Sequence, residues 1–328
     1  MPEFTDELWY GNHPVSLILA PLGWVYSLLM RIRRLAYKLG LLPTRRVSVP
    51  VIIVGNITVG GTGKTPFVIW MAKFLVENGY KPGIISRGYG GSSRTWPQQV
   101  RPDSDPVMVG DEPVIIARRT RCPVAASPDR YSAAREMLNY HDCNILVCDD
   151  GLQHQALARD IEIIVIDSVR RFGNGRCLPA GPLRESASRL NTVDLVIANG
   201  PPEHGEYQMA YTLDMLKSVA EDGREEDLDN LKDSRVHAVA GTGNPASFFA
   251  TLRNAGLQII EHAFPDHYYY KAEDISFDDN LPVVMTEKDA IKCVAFAKKN
   301  HWYLPIDARM TDVFIHRFTT LLKEITDG

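Results

Sequence analysis

The sequence predicts an α/β protein with a mostly parallel sheet and helices on both faces, joined by a second, smaller α/β domain and preceded by an amphipathic helix. Three observations carry this. A β-branched run, Val51 to Val54, opened by Pro50, gives way to a glycine-rich turn and then to an apolar-periodic segment through Phe67, Ile69, Met71, Phe74 and Leu75. An uninterrupted apolar run of this kind suits a strand buried on both faces. Strand and helix patterns then alternate along the chain, as parallel sheets require. A fresh strand, glycine turn and helix start again at Val236.

At 328 residues the chain has length for about two domains, and 45% hydrophobic content suffices for ordinary globular cores. A net charge of −4 gives no polycationic surface, so no nucleic-acid partner is expected, and no obligate protein partner is evident. The five cysteines, Cys122, Cys143, Cys148, Cys177 and Cys293, show no C-x-x-C pairing and read as free thiols in a reducing compartment.

Residues 1–46 form the first segment. Val15 to Met30 is apolar but holds Pro21 and Gly23 and falls short of the roughly 20 residues that cross a bilayer, so it is not expected to span. Glu3, Asp6 and Glu7 ahead of it, and arginines after it, do not fit a signal peptide. Val25, Leu28, Leu29, Ile32, Leu35, Ala36 and Leu39 form one apolar stripe at helical spacing, opposite Ser27, Arg31, Arg34 and Lys38. Such a helix either lies in a membrane interface or packs its stripe on the core with a solvated basic face. Trp9, Trp24 and Tyr26 favour the membrane.

Residues 47–155 open with the unit that organises the chain: strand, loop and helix in the order of a P-loop NTPase-type sheet. Gly60, Gly61 and Gly63 lack Cβ atoms, so successive N–H groups can turn inward around an anion at the positive end of the following helix. Lys64 reaches the β/γ-phosphates of a nucleotide and the Thr65 hydroxyl suits Mg²⁺. The pattern G-x-x-x-x-G-K-[ST] is met except at its start, where Thr58 stands; Gly55-Asn56 is expected to supply the opening turn.

Gly83 to Ser86 reads as the next strand and leads into R-G-Y-G-G, where Arg87 is either an anion contact or a surface arginine. Ser92 to Met108 is a surface excursion. In V-G-D-E-P, Asp111 is expected either as the N-cap of a helix from Pro113 to Arg119 or as a carboxylate base at a loop tip. Strand Pro123 to Ala126, helix Pro128 to Leu138 and strand Asn144 to Cys148 follow, and the last ends in Asp149-Asp150-Gly151. Aspartates ending an apolar strand downstream of a phosphate loop are the expected second anchor for Mg²⁺, since two adjacent carboxylates repel without a cation.

The blocks G-N-I-T-V-G-G-T-G-K-T-P, R-G-Y-G-G, V-G-D-E-P, D-D-G-L-Q-H, P-A-G-P-L-R-E and M-T-E-K-D-A together resemble the tetraacyldisaccharide 4'-kinases, the lipid A 4'-kinases of Gram-negative bacteria. The resemblance runs from the N-terminal apolar segment to Lys292. It implies transfer of the γ-phosphate of ATP to the 4'-hydroxyl of a tetraacyldisaccharide 1-phosphate, at the cytoplasmic face of the inner membrane, by a peripheral or monotopic enzyme. Carried over by position, it implies ATP binding by Thr58, Val59, Gly60, Gly61, Thr62, Gly63, Lys64 and Thr65. Thr58 then matches the family's own form of the loop. Thr65, Asp149, Asp150 and Glu185 would hold Mg²⁺. Asp111 would be the catalytic carboxylate, paired with His267 in F-P-D-H-Y, and Arg87, Arg130 and His154 would contact substrate. The alternative for His267 is an aromatic-cluster histidine beside Tyr268, Tyr269 and Tyr270.

Residues 156–310 are expected as the second α/β domain, with strands Ile161 to Asp167 and Asp194 to Ala198 separated by a loop too long for a simple connection. The later loop Gly241-Thr242-Gly243-Asn244-Pro245 lacks a lysine and reads as a structural helix start. Pro282 to Met285 is a strand, followed by a helix to Lys298, and a closing helix over 311–328 is expected to pack back on the first domain. A membrane-associated ATPase switch is the rival reading. Its loop type carries lysine before the double glycine, where this chain has Val59.

Overall fold

The computed structural model describes residues 2–11, 13–213, 215–221 and 223–326. Nine strands build the main sheet: β1 (Val51–Gly55), β2 (Pro82–Ser86), β3 (Gln98–Val100), β4 (Val124–Ala126), β5 (Ile145–Asp149), β6 (Ile161–Asp167), β7 (Leu195–Asn199), β8 (Tyr207–Thr212) and, after a long excursion, β15 (Asp307–Met310). Their order is β15-β8-β7-β6-β1-β5-β2-β4-β3, with β15 and β3 antiparallel edges on an otherwise parallel sheet. The excursion forms a six-stranded sheet from β9 (Met215–Ser218), β10 (Glu225–Asp227), β11 (Arg235–Ala240), β12 (Gln258–Ala263), β13 (Val283–Thr286) and β14 (His301–Leu304), in the order β10-β9-β14-β13-β11-β12.

Strand β1 is central and parallel to both β5 and β6. Its alternate side chains serve both faces, as strand geometry demands. Ile52 and Val54 join a core built with α3 (Lys64–Glu77), α5 (Asp111–Thr120) and α9 (Asp312–Thr326), whereas Val51 and Ile53 join Ala133, Ala134 and Met137 of α6 (Arg130–Tyr140). The rings of Phe67, Trp70 and Phe74 on α3 meet Phe314 and Phe318 on α9, so the last helix lies on the main sheet. Residues 327 and 328 of the expected closing helix lie outside the described residues. In the second domain, Phe248, Phe249 and Leu252 of α7 (Pro245–Asn254) cover one face, and Ala290 and Cys293 of α8 (Glu287–Cys293) cover the other.

The boundary expected at residue 156 falls inside the main sheet. Strands β6, β7 and β8 continue that sheet beyond β1, and the chain leaves it only after Thr212, returning at Asp307. Ile161, Ile163, Ile164 and Val165 are buried on both faces, a demand that either sheet could meet, so hydropathy alone does not assign the strand. The helix expected to reach Lys298 stops at Cys293. All five cysteines are free.

The first helices are α1 (Pro2–Tyr10) and α2 (Val15–Lys38), with a short α4 (Pro106–Val109) between β3 and α5. Helix α2 is long and apolar enough to cross a membrane by length and composition, with mean hydropathy 1.7. Its small residues Ser16, Ala20 and Gly23 are buried, and a Cβ at Gly23 would press on the Cys177 carbonyl oxygen. The apolar stripe points away from the protein: Val25, Leu28, Leu29, Ile32, Leu35 and Leu39 are each more than half exposed. The alternative in which the stripe packs on the core is therefore wrong, because the small-residue face takes that contact.

Candidate active site

The phosphate loop leaves β1 with Asn56 buried beneath it, its side-chain amide donating to Gly60 O and Thr62 Oγ1 at 3.4 Å each. Thr58 sits in an antiparallel bridge with Leu183, and Val59 N donates to Pro182 O at 2.9 Å. Extended backbone needs no glycine, which explains the threonine. Gly55 is not the turn glycine expected; a Cβ there would strike Leu152. The left-handed positions are Gly60 and Gly63, at φ +108° and +93°. Around Gly60 and Gly61 no heavy atom lies within 4 Å of where a Cβ would be, so the loop's inner face is open. Gly63 is the opposite: Tyr211, Met209 and Asn199 crowd it.

Lys64 Nζ lies 3.5 Å from Asp150 Oδ1. Asp150 is held at φ +49° and receives Arg184 on both oxygens at 3.1 and 3.3 Å. Burial would raise its pKa, but Lys64, Arg184 and Arg130 outweigh burial and bring it to about 2. Asp149 is the contrast. Burial, with repulsion from Asp150 and Glu112 against the pull of Lys64, pushes it up to about 7, and its Oδ1 is buried without a hydrogen bond. A sealed, unpartnered carboxylate oxygen beside a phosphate loop fits a hard cation.

The remaining predicted residues divide. Glu185 does not converge with the aspartates: it accepts from Gln153 at 2.9 Å and faces Arg189 at 3.6 Å. Among the described residues no group of three or more His, Cys, Asp or Glu side chains is arranged for a metal. Arg130 is buried and braces the strained Asp150 backbone, donating to the carbonyls of Ser127 at 2.7 Å and Asp150 at 3.1 Å. His154 accepts from Arg130 N at 3.3 Å, and burial together with Arg130 lowers its pKa. Arg87 is exposed, its guanidinium over the Tyr89 ring at 5.9 Å.

Asp111 is not a cap. Gly110 takes that place, and helix α5 starts two residues earlier than Pro113 suggests, with Asp111 in its first turn. The freed carboxylate meets the second domain: Oδ2 lies 3.0 Å from His267 Nδ1, 3.3 Å from Lys292 Nζ and 4.0 Å from Lys288 Nζ. Burial opposes ionisation, but the His267 hydrogen bond and the two ammonium groups overcome it and hold Asp111 below the usual carboxylate range. His267 is itself left-handed, at φ +59°, with Tyr89 at 5.3 Å. A Cβ at Gly90 would come within 3.1 Å of its Nδ1, so R-G-Y-G-G serves by making room for this ring. The aromatic-cluster alternative for His267 is not what the structure shows: Phe264, Tyr268 and Tyr270 pack on one another without it. Its Nε2 faces Lys288 at 3.4 Å, an ammonium that only donates, which matches a ring whose proton is on Nδ1.

A family model described as Tetraacyldisaccharide-1-P 4'-kinase matches residues 15–323. The chain belongs to this family. The tetraacyldisaccharide 4'-kinase of Nitrosococcus oceani is 52% identical over 316 residues, covering 96% of this chain and 93% of that protein. The one of Methylobacillus flagellatus is 50% identical, covering 97% of each. LpxK from Aquifex aeolicus, crystallised in complex with ATP, superposes with a TM-score of 0.80 at 28% identity, over 95% of this chain and 99% of that one.

Within this kinase family chain, sequence reasoning gave Lys288 and Lys292 no role. Lys292 follows Lys288 at the i, i+4 spacing that puts both on one helical face, but that spacing by itself names no partner.

Proposed function

We propose that this chain transfers the γ-phosphate of ATP to the 4'-hydroxyl of tetraacyldisaccharide 1-phosphate, the lipid A kinase reaction. Family membership over nearly the full length supports the reaction. The observation that carries the site is the Asp111–His267 pair, which joins α5 of the main-sheet domain to the second domain.

In this reading the loop amides and Lys64 hold the triphosphate. Thr65, Asp149 and Asp150 would hold Mg²⁺, which when bound neutralises phosphate charge. His267 and Lys292 approach Asp111 at Oδ2, and this reading assigns Oδ1 to the acceptor hydroxyl. That oxygen takes the proton as the new O–P bond forms and the bond to ADP breaks. Phosphoryl transfer asks mainly for alignment and charge neutralisation, so a weakly basic but fully ionised carboxylate is adequate. Arg184 and Arg130 keep Asp150 in place. Glu185 supports the wall through Gln153, which also donates to Asn56 O at 3.1 Å.

The exposed stripe of α2, with Trp24 and the basic Arg31 and Arg33, supports docking on the inner membrane at its cytoplasmic face, where ATP and the amphiphilic acceptor meet. Loop 172–184 touches both parts: it seats Gly23 of α2 and pairs with Thr58.

The test is γ-labelled ATP with purified protein, Mg²⁺ and tetraacyldisaccharide 1-phosphate in mixed micelles, with Lys64→Ala as blank. Label in the lipid with wild type alone is the expected result. Lys64-dependent release of free phosphate without lipid label would replace the kinase reading by an ATPase switch.

A further inference from the structure

Lys292 is an expensive residue to place where it stands. Its side chain is 9% exposed, and its Nζ is sealed from solvent without a well-aligned hydrogen bond. It has ion contacts instead: Asp111 Oδ2 at 3.3 Å and, on its own helix, Asp289 Oδ1 at 3.7 Å, with the Tyr270 ring 5.8 Å away. Burying an ammonium is costly unless it is paired, and these two carboxylates are its partners. Asp289 is fully buried and already engaged by Gly241 N at 2.8 Å and the Thr286 hydroxyl at 2.6 Å. The nearer contact, Asp111, belongs to the other domain.

Asp111 sits on α5 of the main sheet, while His267, Lys288 and Lys292 all come from the second domain. Lys288 is shared: it also meets Glu112 at 3.4 Å and Asp266 at 3.0 Å, and it is more open to solvent. Lys292 has no other partner across the cleft among the described residues.

We propose that Lys292 is a positioning residue for the transfer step: its ammonium, delivered by the second domain, clamps Oδ2 of Asp111 so that Oδ1 faces the acceptor hydroxyl when the two domains are together. This rests on the kinase reading of the same site. Lys292 touches neither nucleotide loop nor acceptor; it acts through Asp111. The chain crosses between the sheets after Thr212 and before Asp307, so the clamp also couples domain approach to readiness of the base. The titratable and charged groups facing this oxygen are His267, Lys288 and Lys292, with Glu112, Asp266 and Asp289 behind them.

The experiment compares Lys292→Met and Lys292→Arg with wild type in the lipid-phosphorylation assay across pH. Lys292→Met is expected to lose roughly ten- to a hundredfold in kcat with the KM for ATP within about twofold, and to move the acid limb of kcat/KM up by about one pH unit. Removing the cation raises the pKa of a base that must be ionised, which sets that sign. Lys292→Arg keeps the charge and is expected to leave the limb near its wild-type position. In an Asp111→Asn background, Lys292→Met is expected to cost less than about twofold, because the group it positions is gone. An unmoved acid limb, or an equal loss in the Asp111→Asn background, overturns the proposal. If Lys292→Met does not fold, Lys292→Gln, which keeps a donor for Asp289, takes its place with the same readouts. Wild type without acceptor-dependent transfer defeats the kinase reading, whereas active wild type with unaffected Lys292→Met defeats only this inference.

Discussion

His267 Nδ1 lies 3.0 Å from Asp111 Oδ2, although the two residues belong to different domains and are separated by 156 positions in the chain. The pair forms only where the two domains meet, so its role in transfer is testable on either residue. Asp111→Ala is expected to lower kcat by about 10²- to 10⁴-fold with ATP affinity retained, His267→Ala by a similar factor, and the double variant by no more than the worse single one. Steady-state kinetics with lipid acceptor, together with calorimetric ATP binding, check this. A loss under tenfold in folded Asp111→Ala removes it from the base role.

The two kinds of loop glycine separate fold from ligand. Gly63→Ala forces a side chain into φ +93° against Tyr211, Met209 and Asn199, which costs about 1–2 kcal/mol for the backbone before any clash. Thermal stability without ATP and ATP affinity are both expected to fall. Gly61→Ala meets open space at an ordinary φ, so stability is expected to stay and ATP affinity alone to fall. Equal melting temperatures for the two variants would contradict this geometry.

Acid stability has a named contributor. Glu162 on β6 accepts from Arg189 at 2.5 Å and Arg159 at 2.8 Å, and Arg159 in turn donates to the carbonyls of Leu152 and His154 in the D-D-G-L-Q-H loop. Burial works against its charge, but both arginines prevail and lower its folded pKa below the ordinary glutamate value. Its stabilisation is therefore complete above the unfolded pKa, near 4.3, and is lost as pH falls through the lower folded value. Glu162→Gln is expected to be less stable at pH 7 and to lose less stability than wild type between about pH 5 and 3. Urea midpoints across that range decide it; parallel curves would exclude Glu162.

For α2, the exposed stripe predicts binding to anionic vesicles. Leu28→Glu with Ile32→Glu is expected to lower the vesicle partition coefficient by at least about tenfold, since each buried aliphatic side chain is worth roughly 1.5–3 kcal/mol. The melting temperature is expected to hold, because these residues touch little of the protein. Unchanged cosedimentation would mean that the stripe is not the membrane contact.

Much of this was written in local sequence. The β1 run, Gly60, Gly63, Lys64 and Thr65 announce strand, anion loop and helix because each depends on neighbours within a few residues: backbone freedom, helix polarity and apolar period. Asp149-Asp150 at a strand end is legible for the same reason. The free cysteines and the outline of both α/β units follow from composition and pattern.

What only the tertiary structure decided is which distant groups meet. Hydropathy shows that β6 and β7 are buried but not in which sheet, since either interior satisfies them, so the domain boundary fell in the wrong place. The stripe of α2 is equally apolar whether it faces core or bilayer, and the small face at Ser16, Ala20 and Gly23 settled which side docks. The charges of Arg130 and Glu185 are visible in sequence, while the carbonyls and the amide they meet in the fold are not. Lys288 and Lys292 were silent for the converse reason: a lysine on a helix has no signature until the fold brings a carboxylate to it, here Asp111, across the cleft, where low dielectric makes the encounter count.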